Sequence, residues 1–174
     1  DYQQNSSQLR FLQEKIYDWE MPSRRDQIRM SKEELEQFIA EQKSLQVATI
    51  NRDGTPHLST LWFDIVEGDI VFETFTKSQK IKNLERDPRI SCLLEDGLVY
   101  EKLRGVQING TAELHSDPAT VHLYARGVME RNNPEIPVEM LDAAAESMST
   151  KRTAVIIKAE HIATWDHTKL GGTY

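Results

Sequence analysis

The chain has 174 residues, a net charge of −7 and one cysteine. That length is the default for one domain with appended helices, and an apolar share of 39% is adequate for a core. The acidic balance argues against nucleic acid as a partner, since a phosphate backbone demands a basic face, and against anionic membrane surfaces. Any anionic ligand therefore needs a local basic cluster. The lone Cys92 forbids an intrachain disulfide and fits a reducing compartment. It lies in a strand-like run between Ile90 and Leu93, which predicts a buried, inert thiol. No apolar run approaches the roughly 20 residues that a membrane span requires. The first residues, DYQQNSSQLR, lack the regions of a signal peptide, so the cytoplasm is the expected location.

Residues 1–30 read as an arm and linker, and 31–174 as the main domain. Leu9, Leu12, Ile16 and Trp19 share one face of a predicted helix over 9–19, which Pro22 stops. SRRDQIR then reads as linker. Ser31-Lys32-Glu33-Glu34 is a capping box, and Leu35, Phe38 and Ile39 give its helix, near 32–43, an apolar stripe. The first strand is Leu45 to Ile50, followed by a hairpin turn at Asp53-Gly54. The second strand is His57 to Asp64, and Glu67-Gly68-Asp69 turns the chain into a third, Ile70 to Thr74. A short helix over Ser78 to Glu85 ends at Asp87-Pro88, because the residue before proline avoids the helical region.

Ile90 to Leu94 is the fourth strand. The fifth, Arg104 to Leu114, carries a predicted bulge or turn at Asn109-Gly110. A helix opens at Asp117-Pro118 and runs to about Arg131. Residues 138–148 form another. Thr153 to Ile157 is the last strand, which Ile162 to Trp165 extends. The fold class is mainly β with α: a six-stranded antiparallel barrel with helices at its rim. A small barrel fills its own interior, so a ligand sits outside it or at an interface.

The junction from Thr74 to Lys80 carries the chemistry. Its hydroxyls, backbone N–H groups and ammonium groups converge at a helix start, which suits a phosphate. The competing reading makes Lys77, Lys80 and Lys82 a solvated helix face and Ser78 a plain cap. Trp62 fits either a core position or a platform beside a ligand. His57, His115, His122, His161 and His167 lack ligand-like spacing, so no metal site is expected. No Gly-x-Ser-x-Gly elbow or Cys/His pairing points to covalent catalysis. That pattern fits a cofactor that carries the chemistry while the protein binds and orients it.

From Ser31 onward the sequence resembles the pyridoxamine 5'-phosphate oxidase-like FMN-binding split-barrel superfamily, also called flavin/deazaflavin oxidoreductases. The segments VATINRDGTPHLSTLWFD, FETFTKSQKIKNLERDPRISCLL and GTAEL carry the resemblance through their order and spacing. It implies a split barrel and a homodimer with cofactor sites at the subunit interface. The implied cofactor is coenzyme F420 or FMN. The resemblance lays His57, Leu58, Ser59, Thr60, Leu61 and Trp62 along the cofactor ring. It gives the phosphate to Thr74, Thr76, Lys77, Ser78 and Lys80, with Lys80 the strongest match. Trp165 and Lys169 match a tryptophan and a basic residue set against the partner's cofactor.

True pyridoxamine phosphate oxidases carry an arginine and a lysine on the second strand, where this chain has STLWFD. That departure makes pyridoxamine phosphate an unexpected substrate. The pattern TPHLSTLWFD is more similar to the deazaflavin-binding branch. The implied activity is hydride transfer to a small organic acceptor, with His57 the weak candidate for acid–base work. The alternative is a non-catalytic cofactor- or haem-binding protein.

Overall fold

The computed structural model describes residues 23–171. The predicted helix over 9–19 lies outside the described residues. The strands are β1 (Ser44–Ile50), β2 (Pro56–Trp62), β3 (Asp64–Val66), β4 (Asp69–Phe75), β5 (Arg89–Asp96), β6 (Arg104–His115) and β7 (Arg152–Asp166). The helices are α1 (Lys32–Glu41), α2 (Gln79–Arg86), α3 (Pro118–Asn132) and α4 (Val138–Ser149), after a single helical turn at Arg24–Gln27. All strand pairings are antiparallel, in one sheet of order β2-β1-β5-β6-β7-β4-β3.

That order closes the sheet on itself. β2 and β3 stand at opposite ends of it, yet only Phe63 separates them in the chain. Trp62 and Asp64 are therefore at most about 7 Å apart along the backbone. The sheet must curl until its two edges meet at Phe63, which is fully buried. The sequence suggests one strand from His57 to Asp64, and six strands in all. There are seven, because the run divides at Phe63: its first half pairs with β1 and its second with β4. β3 covers only Asp69 to Val71 of β4. Beyond that point a seam is left open between β2 and the end of β4.

The remaining elements follow from local chemistry. The α1 capping box forms as read: Ser31 Oγ accepts from the Glu34 amide at 3.2 Å, and the Ser31 amide donates to Glu34 Oε2 at 2.6 Å. Arg131 of α3 caps the other end of α1 by donating to the carbonyls of Ile39, Ala40 and Gln42, the orphan acceptors of a helix C-terminus. Its guanidinium also lies 4.2 Å from the Phe63 ring centroid. The register of β6 on β7 shifts at Asn109/Gly110, the bulge read in the sequence.

The barrel interior holds Leu45, Val47, Phe72, Leu94, Val106 and Val155, all fully buried. Each such side chain contributes about 1.5–3 kcal/mol of transfer energy. Helices α3 and α4 pack on each other and on β4 and β7, covering Val71 and Ala154 on the outer sheet face. The outer face of β2, β1, β5 and β6 has no such cover among the described residues. Leu58 there is 70% exposed and Trp62 47%. Among the described residues, no helix is long and apolar enough to cross a membrane.

Candidate functional site

The strand period of two divides the six β2 candidates between two faces. His57, Ser59 and Leu61 stand opposite Thr49, Val47 and Leu45, whose side chains are buried in the barrel. Leu58, Thr60 and Trp62 point outward, opposite Ala48, Gln46 and Ser44. One flat ring can meet either set, or the strand edge, but not all six side chains. The inward set carries unspent polarity at the seam. His57 Nδ1 and Ser59 Oγ are buried and, among the described residues, without a hydrogen-bond partner.

Across the seam, β4 runs into α2 through the predicted phosphate junction. Thr74 is 7% exposed on the inner face, and Lys80 Nζ donates to its Oγ1 at 3.2 Å. Partial burial pushes the Lys80 ammonium below the usual lysine range, and the nearby Glu73 carboxylate opposes that shift. Arg152 forms an ion pair with Glu73, so that carboxylate is already compensated. Thr76 Oγ1 receives a hydrogen bond from Thr153 Oγ1 at 3.0 Å. Lys77 lines a separate cavity of about 480 Å³ with Phe75, Thr76, Thr150 and Lys151.

Ser78 occupies the N-cap of α2 but makes no side-chain cap hydrogen bond. Its Oγ is buried with no hydrogen-bond partner among the described residues. The Lys82 amide donates to the Ser78 carbonyl as the first intrahelical bond, so the amides of residues 79–81 precede it and need an outside acceptor. The helix itself is fixed to β1 through Asn83, which is fully buried. Its Nδ2 donates to Thr49 Oγ1 and Asn51 Oδ1, each at 3.0 Å, and its Oδ1 accepts from Gln79 Nε2 at 2.9 Å. Thr49 is the cross-strand neighbour of His57. The network therefore ties the helix start to the strand opposite the β2 lip.

On the outer face the structure unites two further candidates. Leu58 and Trp165 line one cavity of about 410 Å³ with Gln46, Ser91, Leu93 and Gln107. Trp165 lies across Gly105, its partner in the β6–β7 register. A Cβ at Gly105 would come within 2.1 Å of the indole. Lys169 is not brought to either cavity. Its Nζ donates to Glu34 Oε2 at 2.5 Å and to the Arg29 carbonyl at 2.7 Å.

Sequence reading missed Gln46 and Asn83. Gln46 Oε1 is buried beside the Trp165 cavity without a partner among the described residues; the signal was a long polar side chain between Leu45 and Val47 in a strand. Asn83 sat inside the motif KNLERDPR, where it reads as surface. Cys92 is buried as expected, and burial pushes its thiol up to about 12.

The profile of the pyridoxamine 5'-phosphate oxidase family matches residues 31–166. No curated protein matches the chain. Among solved structures, a conserved hypothetical protein of Mycobacterium tuberculosis, Rv2991, is 40% identical, with 86% of this chain and 93% of that one covered and a TM-score of 0.80. An F420 reductase is 20% identical over 74% of this chain and 94% of its own, with a TM-score of 0.59. HutZ, the haem storage protein of Vibrio cholerae, is 16% identical over 76% and 94%, also with a TM-score of 0.59. The curled sheet, the seam and the matched segment agree: the chain belongs to the pyridoxamine 5'-phosphate oxidase family of split barrels.

Proposed function

We propose that this protein binds a phosphorylated flavin-type cofactor, coenzyme F420 ahead of FMN, and works as an oxidoreductase on a small organic acceptor. The observation that carries the reading is the buried, unpartnered Ser78 hydroxyl at the start of α2, beside the Lys80–Thr74 pair. A hydroxyl without a partner in a dry site costs about 1–3 kcal/mol. A phosphate there would satisfy it together with the helix N-terminal amides. Thr74, Ser78 and Lys80 hold the phosphate in this reading, with Thr76 and Lys77 at its margin.

The cofactor, when bound, supplies or accepts the hydride. The protein's share is to bind, orient and exclude water. The β2 lip of the seam carries the ring contacts, and His57 offers it a buried imidazole nitrogen, Nδ1. Trp165 and Leu58 wall the outer cavity where an acceptor docks. The preference for F420 rests on the TPHLSTLWFD pattern and on the fold shared with the F420 reductase. The lack of a basic residue in STLWFD sets pyridoxamine phosphate aside as substrate. The open outer face, with Leu58 and Trp62 exposed, supports a homodimer, and the acidic charge with one reduced cysteine supports a cytoplasmic setting.

Multiple-turnover oxidation of the reduced cofactor by candidate acceptors tests the activity. Binding without turnover would replace the enzyme by a carrier, a reading favoured by the fold shared with the haem storage protein.

A further inference from the structure

A third cavity lies apart from both the seam and the Trp165 pocket. It encloses about 470 Å³ and is lined by Arg25, Arg29, His161, Ile162, Ala163 and Thr164. Among the described residues, no carboxylate lines it. Asp26 pairs with Arg29 from outside, at 2.9 Å to Nη2, and the Arg29 side chain stays 65% exposed. In a chain of net charge −7, two guanidiniums and an imidazole around one hollow stand against the background.

The backbone supplies a second, independent feature. β4 pairs with β7 only as far as Ile157, so among the described residues no strand pairs with the later half of β7 on that side. The Asp166 amide points off this edge and donates to the Ile28 carbonyl at 2.7 Å. N–H groups two residues apart on a strand point to the same side. The amides of Ile162 and Thr164 therefore face the cavity edge, and neither has a backbone acceptor among the described residues. Thr164 Oγ1 accepts from the Met30 amide at 3.0 Å. That bond pins the arm residues that carry the arginines against β7.

From these we infer that the cavity between β7 and the Arg24–Gln27 turn binds an oxyanion, a carboxylate or phosphate group of a small anionic substrate. Arg25 and Arg29 supply the charge, and the Ile162 and Thr164 amides supply directional donors. Trp165 and the cavity lie on the same stretch of β7. The role as a substrate subsite rests on the proposed function, but the anion binding stands alone.

The test uses the full chain without cofactor. Amide and side-chain NMR spectra are followed during titration with succinate and, separately, inorganic phosphate. Saturable shifts at Arg25, Arg29, His161, Ile162 and Thr164 are expected. They should weaken at least tenfold in Arg25→Ala/Arg29→Ala and persist in Lys80→Ala. Preference for succinate assigns a carboxylate, and preference for phosphate a phosphate ester. Shifts that do not saturate, or that survive the double substitution, overturn the site. Shifts lost in Lys80→Ala but kept in the double variant mean that the anion sits at the α2 junction instead. Loss of cofactor binding in Lys80→Ala alone leaves this inference untouched.

Discussion

Lys80 and Thr74 meet across the turn from β4 into α2, with Nζ 3.2 Å from Oγ1. The pair holds an ammonium group at a helix start where the Ser78 hydroxyl has no partner. Lys80→Ala should weaken binding of a phosphorylated cofactor by about 1.5–3 kcal/mol, the range for charge-assisted contacts. Ser78→Ala separates ligand binding from capping. An N-cap serine normally contributes about 1 kcal/mol to stability. Here no cap bond exists, so the urea midpoint of Ser78→Ala should stay level or rise while cofactor affinity falls. A drop in midpoint typical of a lost cap would show that the hydroxyl serves the helix.

Asn83, fully buried on α2, makes three side-chain hydrogen bonds: one to Thr49 of β1, one to Asn51 just beyond it, and one to Gln79 of its own helix. Asn83→Ala leaves Thr49 Oγ1 and Gln79 Nε2 without this partner. It should destabilise the fold by about 1–3 kcal/mol, read from urea unfolding. Cofactor binding should fall with it, because α2 carries the phosphate contacts. Wild-type stability in this variant would mean that the helix is held by its apolar face alone.

Gly105 has no side chain because the Trp165 indole occupies that space. Gly105→Ala should push the indole off the sheet and lower stability by about 1–3 kcal/mol, as for overpacking. The displaced ring also changes the walls of the cavity that it shares with Leu58. A shifted tryptophan emission maximum, set against the Trp165→Phe control, reads the movement. An unaltered spectrum and midpoint would contradict the close approach.

Asp87 gives a pH signature. The Arg89 side chain hydrogen-bonds its carboxylate and holds it at about 2, below the usual carboxylate range. A depressed carboxyl stabilises the folded state above its unfolded pKa, and that contribution is lost as pH falls through the folded value. The stability gap between wild type and Asp87→Asn should therefore be full near neutrality and shrink between about pH 4 and 2. Urea midpoints across that range test it. A gap that widens toward low pH would reverse the sign.

Much of the barrel was legible where one residue type dictates local geometry. Ser31 and Glu34 announced the cap of α1, and Asn109-Gly110 announced the bulge in β6. Asp87-Pro88 stopped α2 as read. The division at Phe63 was not legible. The run from His57 to Asp64 reads as one strand, and only the change of partner from β1 to β4 breaks it. Partner choice is a tertiary event that periodicity does not encode.

The candidate site followed the same rule. Thr74, Ser78 and Lys80 are close in sequence, and the turn unites them. Leu58 and Trp165 lie far apart in sequence, yet strand pairing sets both on the outer face of the sheet, where they line one cavity. The pleat divides the six β2 residues between the two faces of the sheet. Lys169 found a nearer carboxylate in Glu34.

Equilibrium binding of the apoprotein to coenzyme F420 and to FMN, side by side by fluorescence quenching, shows whether the α2 junction holds a phosphorylated cofactor and which one. Saturable binding of the deazaflavin is expected, tighter than that of FMN and weakened in Lys80→Ala. Tighter FMN would reverse the preference while keeping the phosphate site. Failure of both to bind would contradict the cofactor reading.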